Sequence, residues 1–315
     1  MDSLAWRSTQ VAELVRADER ISYLYVERCT LGRDENAITI TNAGGIVHVP
    51  AAALGCLLLG PGTRVTHQVM LLLASSGAAA IWCGEAGARF YAGGVGLSRS
   101  SKVVEAQAAL VSNQRSRLEV AREMYGRRFA NENASTATMQ QLRGREGARI
   151  KALYRVEADR TGVPWNGRLY RPDDFVTGDP VNQALSAAHY CLYGVVHAVI
   201  VALGASPALG FVHTGTAQAF VYDIADLYKA EISIPLAFEV ARDPGPDISA
   251  SVRKAFRQGL HTARLLPRIT KDVLDLLIPG DQQDWTMGDV LMLWDGGSAR
   301  VASGVSHAPE VPVEW

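Results

Sequence analysis

The sequence predicts an α+β protein: a β-sandwich-like N-terminal β-domain at residues 1–95, a mostly α-helical domain at 96–280 and an acidic tail at 281–315. Three observations predict it. From Arg20 to about Tyr91 the chain holds short runs rich in Ile, Val, Thr and aromatics, broken by Gly, Asn and Pro. After the glycine-rich GGVGLSRSS at 93–101 the apolar period lengthens to three or four residues. A chain of 315 residues, 48% hydrophobic and 20% charged, also holds enough apolar matter for one large or two ordinary domains.

The elements follow in order. ISYLYVERC, AITITNAGGIVHVP and AAIWCGEAGARFYAGG read as strands and turns, and Thr66 to Ser76, which lacks alternation, reads as a short helix feeding a strand at Ala79 to Cys83. From Lys102 to Phe129 the residues Val103, Ala106, Ala109 or Leu110, Leu118 and Ala121 recur at helical spacing. Further helices are expected at Thr138–Arg160, Asp179–Leu203, Val221–Lys229, Ser233–Ala241 and Ser249–Ile278. In the tail, VLMLWDGGSARVAS carries an Asp-Gly-Gly turn signal for a short hairpin.

Composition narrows the function classes. Cys29, Cys56, Cys83 and Cys191 are scattered singly, which supports neither a disulfide framework nor a structural zinc site and fits a reducing cytoplasm. No secretory signal pattern opens the chain. The apolar stretches Val69–Gly84 and Ser186–Gly210 are interrupted by Ser75, Ser76 and Gly77 or by His189 and His197, so they read as buried core, with no membrane association. Net charge is only −1, yet residues 99–171 carry 15 basic and 7 acidic side chains and 248–271 carry 6 basic and none acidic. Between them, 172–247 holds 2 basic and 9 acidic residues. Cationic tracks flanking an acidic block suit a polyanion with a carboxylate-lined metal site, although solvated helix faces produce the same alternation.

The acidic block contains FVHTGTAQAFVYDIADLYK, where a helix over Val221–Lys229 would place Asp223 and Asp226 on one face, with His213 ten residues upstream. Two carboxylates and an imidazole suit Mg²⁺ or Mn²⁺ without excluding Zn²⁺. By spacing alone, the same acids also fit a first helical turn set against the helix dipole, with an ordinary loop histidine. A third acid, Glu146, lies among Arg143, Arg145, Arg149 and Lys151. It suits either a helical ion pair or a metal ligand flanked by phosphate-binding arginines.

RGREGARIKALYR, VPWNGRLYRPDD, DPVNQALSAAHYCLYGV and GFVHTGTAQAFVYDIADLYK together resemble the CRISPR spacer-acquisition integrase family, CRISPR-associated protein one, in its type I-E form. The resemblance runs back through GTRVTH and IWCGEAGARFY and covers about residues 20–280. It implies that Glu146, His213 and Asp226 hold the metal, Mg²⁺ or Mn²⁺, with Asp223 supporting the site. It implies that Tyr170, Tyr193 and Tyr222 line the pocket for the adjacent-motif end of the prespacer, and that Arg64, Arg89, Lys229 and Arg253 contact DNA phosphates. The implied assembly is a homodimer, paired through the β-domain, that clamps a dimer of CRISPR-associated protein two and carries double-stranded prespacer DNA to the CRISPR repeat. The implied reaction is metal-assisted transesterification, in which a prespacer 3′-hydroxyl attacks a repeat phosphodiester; water in its place gives endonuclease activity.

Two positions depart from the family pattern. Thr216 stands where relatives carry lysine, and Arg28 aligns with a tyrosine that braces the prespacer end, with Tyr23 and Tyr25 nearby. The competing functions are a catalytically silent DNA-binding scaffold and a general metal-dependent DNA nuclease in repair. Intact Glu146, His213 and Asp226 favour the enzyme over the scaffold.

Overall fold

The computed structural model describes residues 21–85, 89–94, 101–129, 134–169, 178–280, 292–294 and 300–302. It bears out the α+β class: two four-stranded sheets come first, and a mostly helical region follows. Strands β1 (Ile21–Val26), β5 (Leu54–Leu59), β7 (Ala79–Cys83) and β8 (Phe90–Gly94) form one sheet in that order. In it β1 and β7 both run parallel to β5, while β8 returns antiparallel to β7. The second sheet orders β4 (Gly45–Pro50), β3 (Ala37–Asn42), β2 (Thr30–Asp34) and β6 (Arg64–Val65).

Parallel neighbours need a crossover, and α1 (His67–Ser76), closed by Gly77 in the left-handed region at φ 70°, supplies the one that leads into β7. The helix expected from the missing alternation is therefore present. It closes a core in which Leu31 and Ile38 of the second sheet meet Leu57 and Leu59 of β5 and Val69, Leu72 and Leu73 of α1.

Strand β5 reads LGCLLL because both of its faces are covered. Leu57 and Leu59 face that first core, whereas Cys56 and Leu58, with Ile81 and Cys83 of β7, pack on Ala198 of the helical region. Phe90 of β8 stacks on His197 with centroids 3.9 Å apart, so the sheet is joined to the helices by apolar and aromatic contact.

The helical region is organised around α5 (Pro180–Ala202), which begins with Asp179 accepting from the Asn182 N–H and with Pro180 in the first turn. It is apolar and long enough to cross a membrane by length and composition, yet 61% of its most apolar window is buried inside the fold. Helices α6 (Ala219–Tyr228), α7 (Ile234–Arg242), α8 (Ile248–Thr262) and α9 (Leu265–Leu277) pack on it.

The expected helix at 102–129 is two helices, α2 (Lys102–Ser112) and α3 (Gln114–Arg128). Asn113 takes an extended conformation between them, and its side chain accepts from the Arg115 and Ser116 N–H groups, starting α3 afresh. The expected helix at 249–278 also divides, into α8 and α9, with Arg264 at φ 46° between them. Pro267 has no N–H for the Ala263 carbonyl, a loss that is harmless only in the first turn of a new helix. Helix α4 (Met139–Thr161) opens on a reciprocal capping box between Thr138 and Gln141. In the tail, β9 (Met292–Trp294) pairs antiparallel with β10 (Arg300–Ala302) as expected, while the turn at 295–299 lies outside the described residues.

Candidate active site

The site forms where the last turn of α3, the middle of α4, the loop at 210–213 and helix α6 meet. Asp223, with a fully buried side chain, organises the loop. Its Oδ2 accepts from the backbone N–H of Phe211 at 2.5 Å and of Val212 at 3.1 Å, and its Oδ1 accepts from the His213 N–H at 2.9 Å. The same Oδ1 lies 2.7 Å from His213 Nδ1. That contact places the ring proton on Nδ1 and leaves Nε2 as the outward lone pair, the usual way a carboxylate prepares an imidazole to ligate or to take a proton. The hydrogen bond to Asp223 is the main reason that the His213 pKa is raised above that of a free imidazole, against the opposing effect of burial.

From the other side, Arg117 of α3 donates to the carbonyls of Phe211 at 2.8 Å and Gly210 at 3.1 Å. The loop is thus held by its N–H groups on Asp223 and by its carbonyls on Arg117, which leaves it little freedom.

Glu146 and Asp226 meet through a cation. Arg128 Nη2 lies 2.7 Å from Glu146 Oε1, and Arg128 Nη1 lies 3.8 Å from Asp226 Oδ2. The second oxygen of Glu146 accepts from the Tyr125 hydroxyl at 2.6 Å, and the second oxygen of Asp226 pairs with Lys229 Nζ at 2.6 Å. Burial pushes the Asp226 carboxyl upward, but Lys229 and Arg128 outweigh it and hold its pKa below the ordinary carboxylate value. Burial likewise opposes the charge on Lys229, and Asp226 and Tyr193 overcome that and raise its pKa.

Asp223 and Asp226 therefore share one face of α6 as their spacing implied, and Glu146 is brought to Asp226 across a chain separation of eighty residues. Among the described residues, no three His, Cys, Asp or Glu side chains converge closely enough to ligate one ion. The donors nevertheless fit a divalent cation. Glu146 and Asp226 already face one shared positive group, the Arg128 guanidinium, and the electrostatic influence of Asp226 reaches His213. Two carboxylates and an imidazole nitrogen suit Mg²⁺ or Mn²⁺.

The remaining expected residues are spread more widely. Lys229 is mostly buried against Asp226, with its ammonium 4.9 Å from the Tyr193 ring centroid, which places it at the site itself. Tyr193 and Tyr222 meet edge to face at 5.0 Å, and Tyr222 packs 5.7 Å from the His213 ring. Tyr170 lies outside the described residues. Arg89 and Arg253 line a cleft of about 640 Å³ with Phe90, Tyr190, Tyr193 and His197, and Arg253 also pairs with Glu85 at 3.4 Å. Arg64 is exposed on strand β6.

Of the departing positions, Thr216 is exposed, and Arg28 sits at φ 49° just past β1 with its N–H on the Pro61 carbonyl. Tyr23 packs against the helical core with its hydroxyl 2.8 Å from Thr270 Oγ1, and Tyr25 donates to Glu27. Sequence reasoning missed Arg128, Arg117 and Tyr125. A helix-ending Arg-Arg-Phe offers no local signal for Arg128, whereas the i,i+3 spacing of Asp226 and Lys229 was a readable pointer to their pair.

Fold and site together define a two-part α+β protein whose helical half presents a carboxylate–imidazole centre among arginines, a layout suited to phosphodiester chemistry. The model of the family described as CRISPR associated protein Cas1 matches residues 22–136 and 127–244, and the chain belongs to that family of CRISPR-associated endonucleases. It is 46% identical over 297 residues to the CRISPR-associated endonuclease Cas1 of Clostridium sp. (strain SY8519), covering 94% of this chain and 98% of that protein. To the Cas1 endonuclease of Escherichia coli (strain K12) it is 42% identical over 262 residues, covering 81% and 85%. Among solved structures, the TtCas1–DNA complex matches at a TM-score of 0.76 and 44% identity, over 81% of this chain and 96% of that one.

Proposed function

We propose that this chain is a metal-dependent DNA integrase and endonuclease of CRISPR adaptation, of the type I-E form, acting as a homodimer with a dimer of CRISPR-associated protein two. The observation that carries this reading is the Glu146–Arg128–Asp226 bridge beside the Asp223-oriented His213. Kinship to a protein crystallised as a TtCas1–DNA complex supports the choice of substrate.

In this reading Glu146, Asp226 and His213 Nε2 hold Mg²⁺ or Mn²⁺. The metal, when bound, eases deprotonation of the attacking hydroxyl and neutralises charge on the phosphoryl oxygens. The chain supplies positioning. Asp223 keeps the His213 ring in one tautomer, and Arg117 fixes the loop that carries it. Tyr193 and Tyr222 offer aromatic faces on which an unpaired prespacer base can stack next to the reacting end, a role that the family resemblance extends to Tyr170. Arg64, Arg89 and Arg253 place phosphates without reading sequence.

In the step itself, the prespacer 3′-oxygen forms a bond to a repeat phosphorus while the bond to the departing 3′-oxygen breaks. The attacking hydroxyl loses a proton and the departing oxygen gains one. Each phosphodiester broken is replaced by one formed, so no energy source is needed.

A silent DNA-binding scaffold is the second reading, favoured by one observation: the cations Arg128 and Lys229 already engage the acids. Incubation with the partner dimer, a repeat-bearing plasmid and labelled duplexes with 3′-hydroxyl ends separates the two. The enzyme joins the duplexes with Mg²⁺ or Mn²⁺, stops on chelation and loses joining in His213→Ala. Duplex binding with no metal-dependent joining would establish the scaffold instead.

A further inference from the structure

We propose that Arg128 is an internal cation that occupies the divalent-metal position between Glu146 and Asp226, and that metal binding requires its guanidinium to leave. The inference rests on the metal-site reading above and adds a competitor to it.

The geometry sets Arg128 apart from every other cation of the site. It projects from the last turn of α3, and its side chain is only 8% exposed, less than that of Glu146 at 21% or Asp226 at 11%. One fork nitrogen is 2.7 Å from Glu146 and the other 3.8 Å from Asp226, so the charge stands between the two carboxylates, nearer Glu146. Lys229 touches Asp226 alone and is retained by Tyr193. The aromatic rings of Tyr125 and Phe129, 5.6 and 5.2 Å from the guanidinium carbon, form a shelf beside it.

Charge balance then decides between exchange and simple addition. Counting only the acids and the cations paired directly with them, Glu146, Asp226 and Asp223 bring three negative charges and Arg128 and Lys229 two positive ones; Arg117, Arg143 and Arg149 nearby add positive charge, which weighs further against adding an ion without exchange. With His213 neutral, as ligation demands, the cluster stands at −1. Adding a divalent ion with Arg128 in place takes it to +1, whereas replacing Arg128 by that ion takes it to zero. Beside acids as buried as Asp223 and Asp226, uncompensated charge is the costly outcome, so exchange is favoured. Glu146 keeps its bearing during the exchange because the Tyr125 hydroxyl holds its other oxygen. The metal-free chain thereby gains stability, and its metal affinity is lowered by the work of displacing the guanidinium.

The test is Mn²⁺ binding to the full chain, followed by the electron paramagnetic resonance of free Mn²⁺, alongside thermal unfolding in chelator. Wild type should show a saturable site that His213→Ala loses. Arg128→Gln should bind Mn²⁺ about tenfold more tightly or better, a difference of about 1.4 kcal/mol. It should also unfold at a lower temperature in chelator and recover with Mn²⁺. Arg128→Lys, whose point charge cannot fork to both acids, should bind severalfold more tightly than wild type, and it decides the matter if Arg128→Gln does not fold. Equal or weaker Mn²⁺ binding by the folded variant overturns the exchange while leaving the metal site standing. Absence of any His213-dependent Mn²⁺ site in wild type overturns both.

Discussion

Asp223 accepts four hydrogen bonds with a side chain that has no contact with solvent, three from backbone N–H groups of the 211–213 loop and one from His213 Nδ1. Asp223→Asn keeps the shape but turns one carboxylate oxygen into an NH₂ donor. Turned one way, the amide opposes the Phe211 and Val212 N–H groups; turned the other way, it opposes the His213 N–H and loses the charge-assisted bond from Nδ1, which can then only accept. Bonds to a charged acceptor contribute about 1.5–3 kcal/mol each, so two lost bonds cost roughly 3–5 kcal/mol after the easier burial of a neutral side chain is credited. In thermal unfolding that is a fall on the order of 10 °C.

A second readout follows from the imidazole, in chelator-treated protein. Because Asp223 raises the His213 pKa, its contribution to stability is complete below the ordinary histidine pKa of about 6.5 and disappears as pH rises through the higher folded value. In Asp223→Asn the desolvation that remains should move the His213 pKa below its wild-type value, seen in the pH titration of its ring proton by NMR. A loss of less than about 2 °C with an unchanged His213 titration would refute the argument that Asp223 organises the loop.

Two further outcomes are expected. A Cβ on Gly210 would lie 2.5 Å from the His213 carbonyl oxygen and 2.8 Å from Ala219 Cβ, so Gly210→Ala must push the His213 loop away. It should cost about 1–3 kcal/mol in urea unfolding and, through misplacement, about 100-fold in DNA joining; wild-type joining would show that the loop has slack. Phe238 is fully buried and packs 5.5 Å from Trp165 and 6.2 Å from Tyr154, so Phe238→Ala should cost about 3–5 kcal/mol in the same unfolding assay. A cost under about 1 kcal/mol would mean that the core under α4 and α7 closes over the missing ring.

Much of the molecule was legible in local patterns. The change from strand-like to helical periodicity, the crossover helix α1, the tail hairpin and the shared face of Asp223 and Asp226 all appear in the structure. The expectations that needed revision share a cause. Asn113 and Pro267 sit inside apolar periods that run on unbroken, so periodicity joined helices that a single capping side chain or a missing N–H divides. Lys229 was legible as a cation but not as a buried one, because burial depends on what Tyr193 of α5 brings against it.

By itself, the sequence determined where strands give way to helices and that two acids and an imidazole of one block could act together. Those properties depend on spacings of two to ten residues, which the backbone converts directly into position. Only the tertiary structure decided that the end of α3 reaches α4 and α6, so that Arg128 stands between Glu146 and Asp226 while Arg117 and Asp223 grip the His213 loop from both sides. That outcome follows from how the helices pack around α5, and no local spacing records that Arg128 will arrive between Glu146 and Asp226.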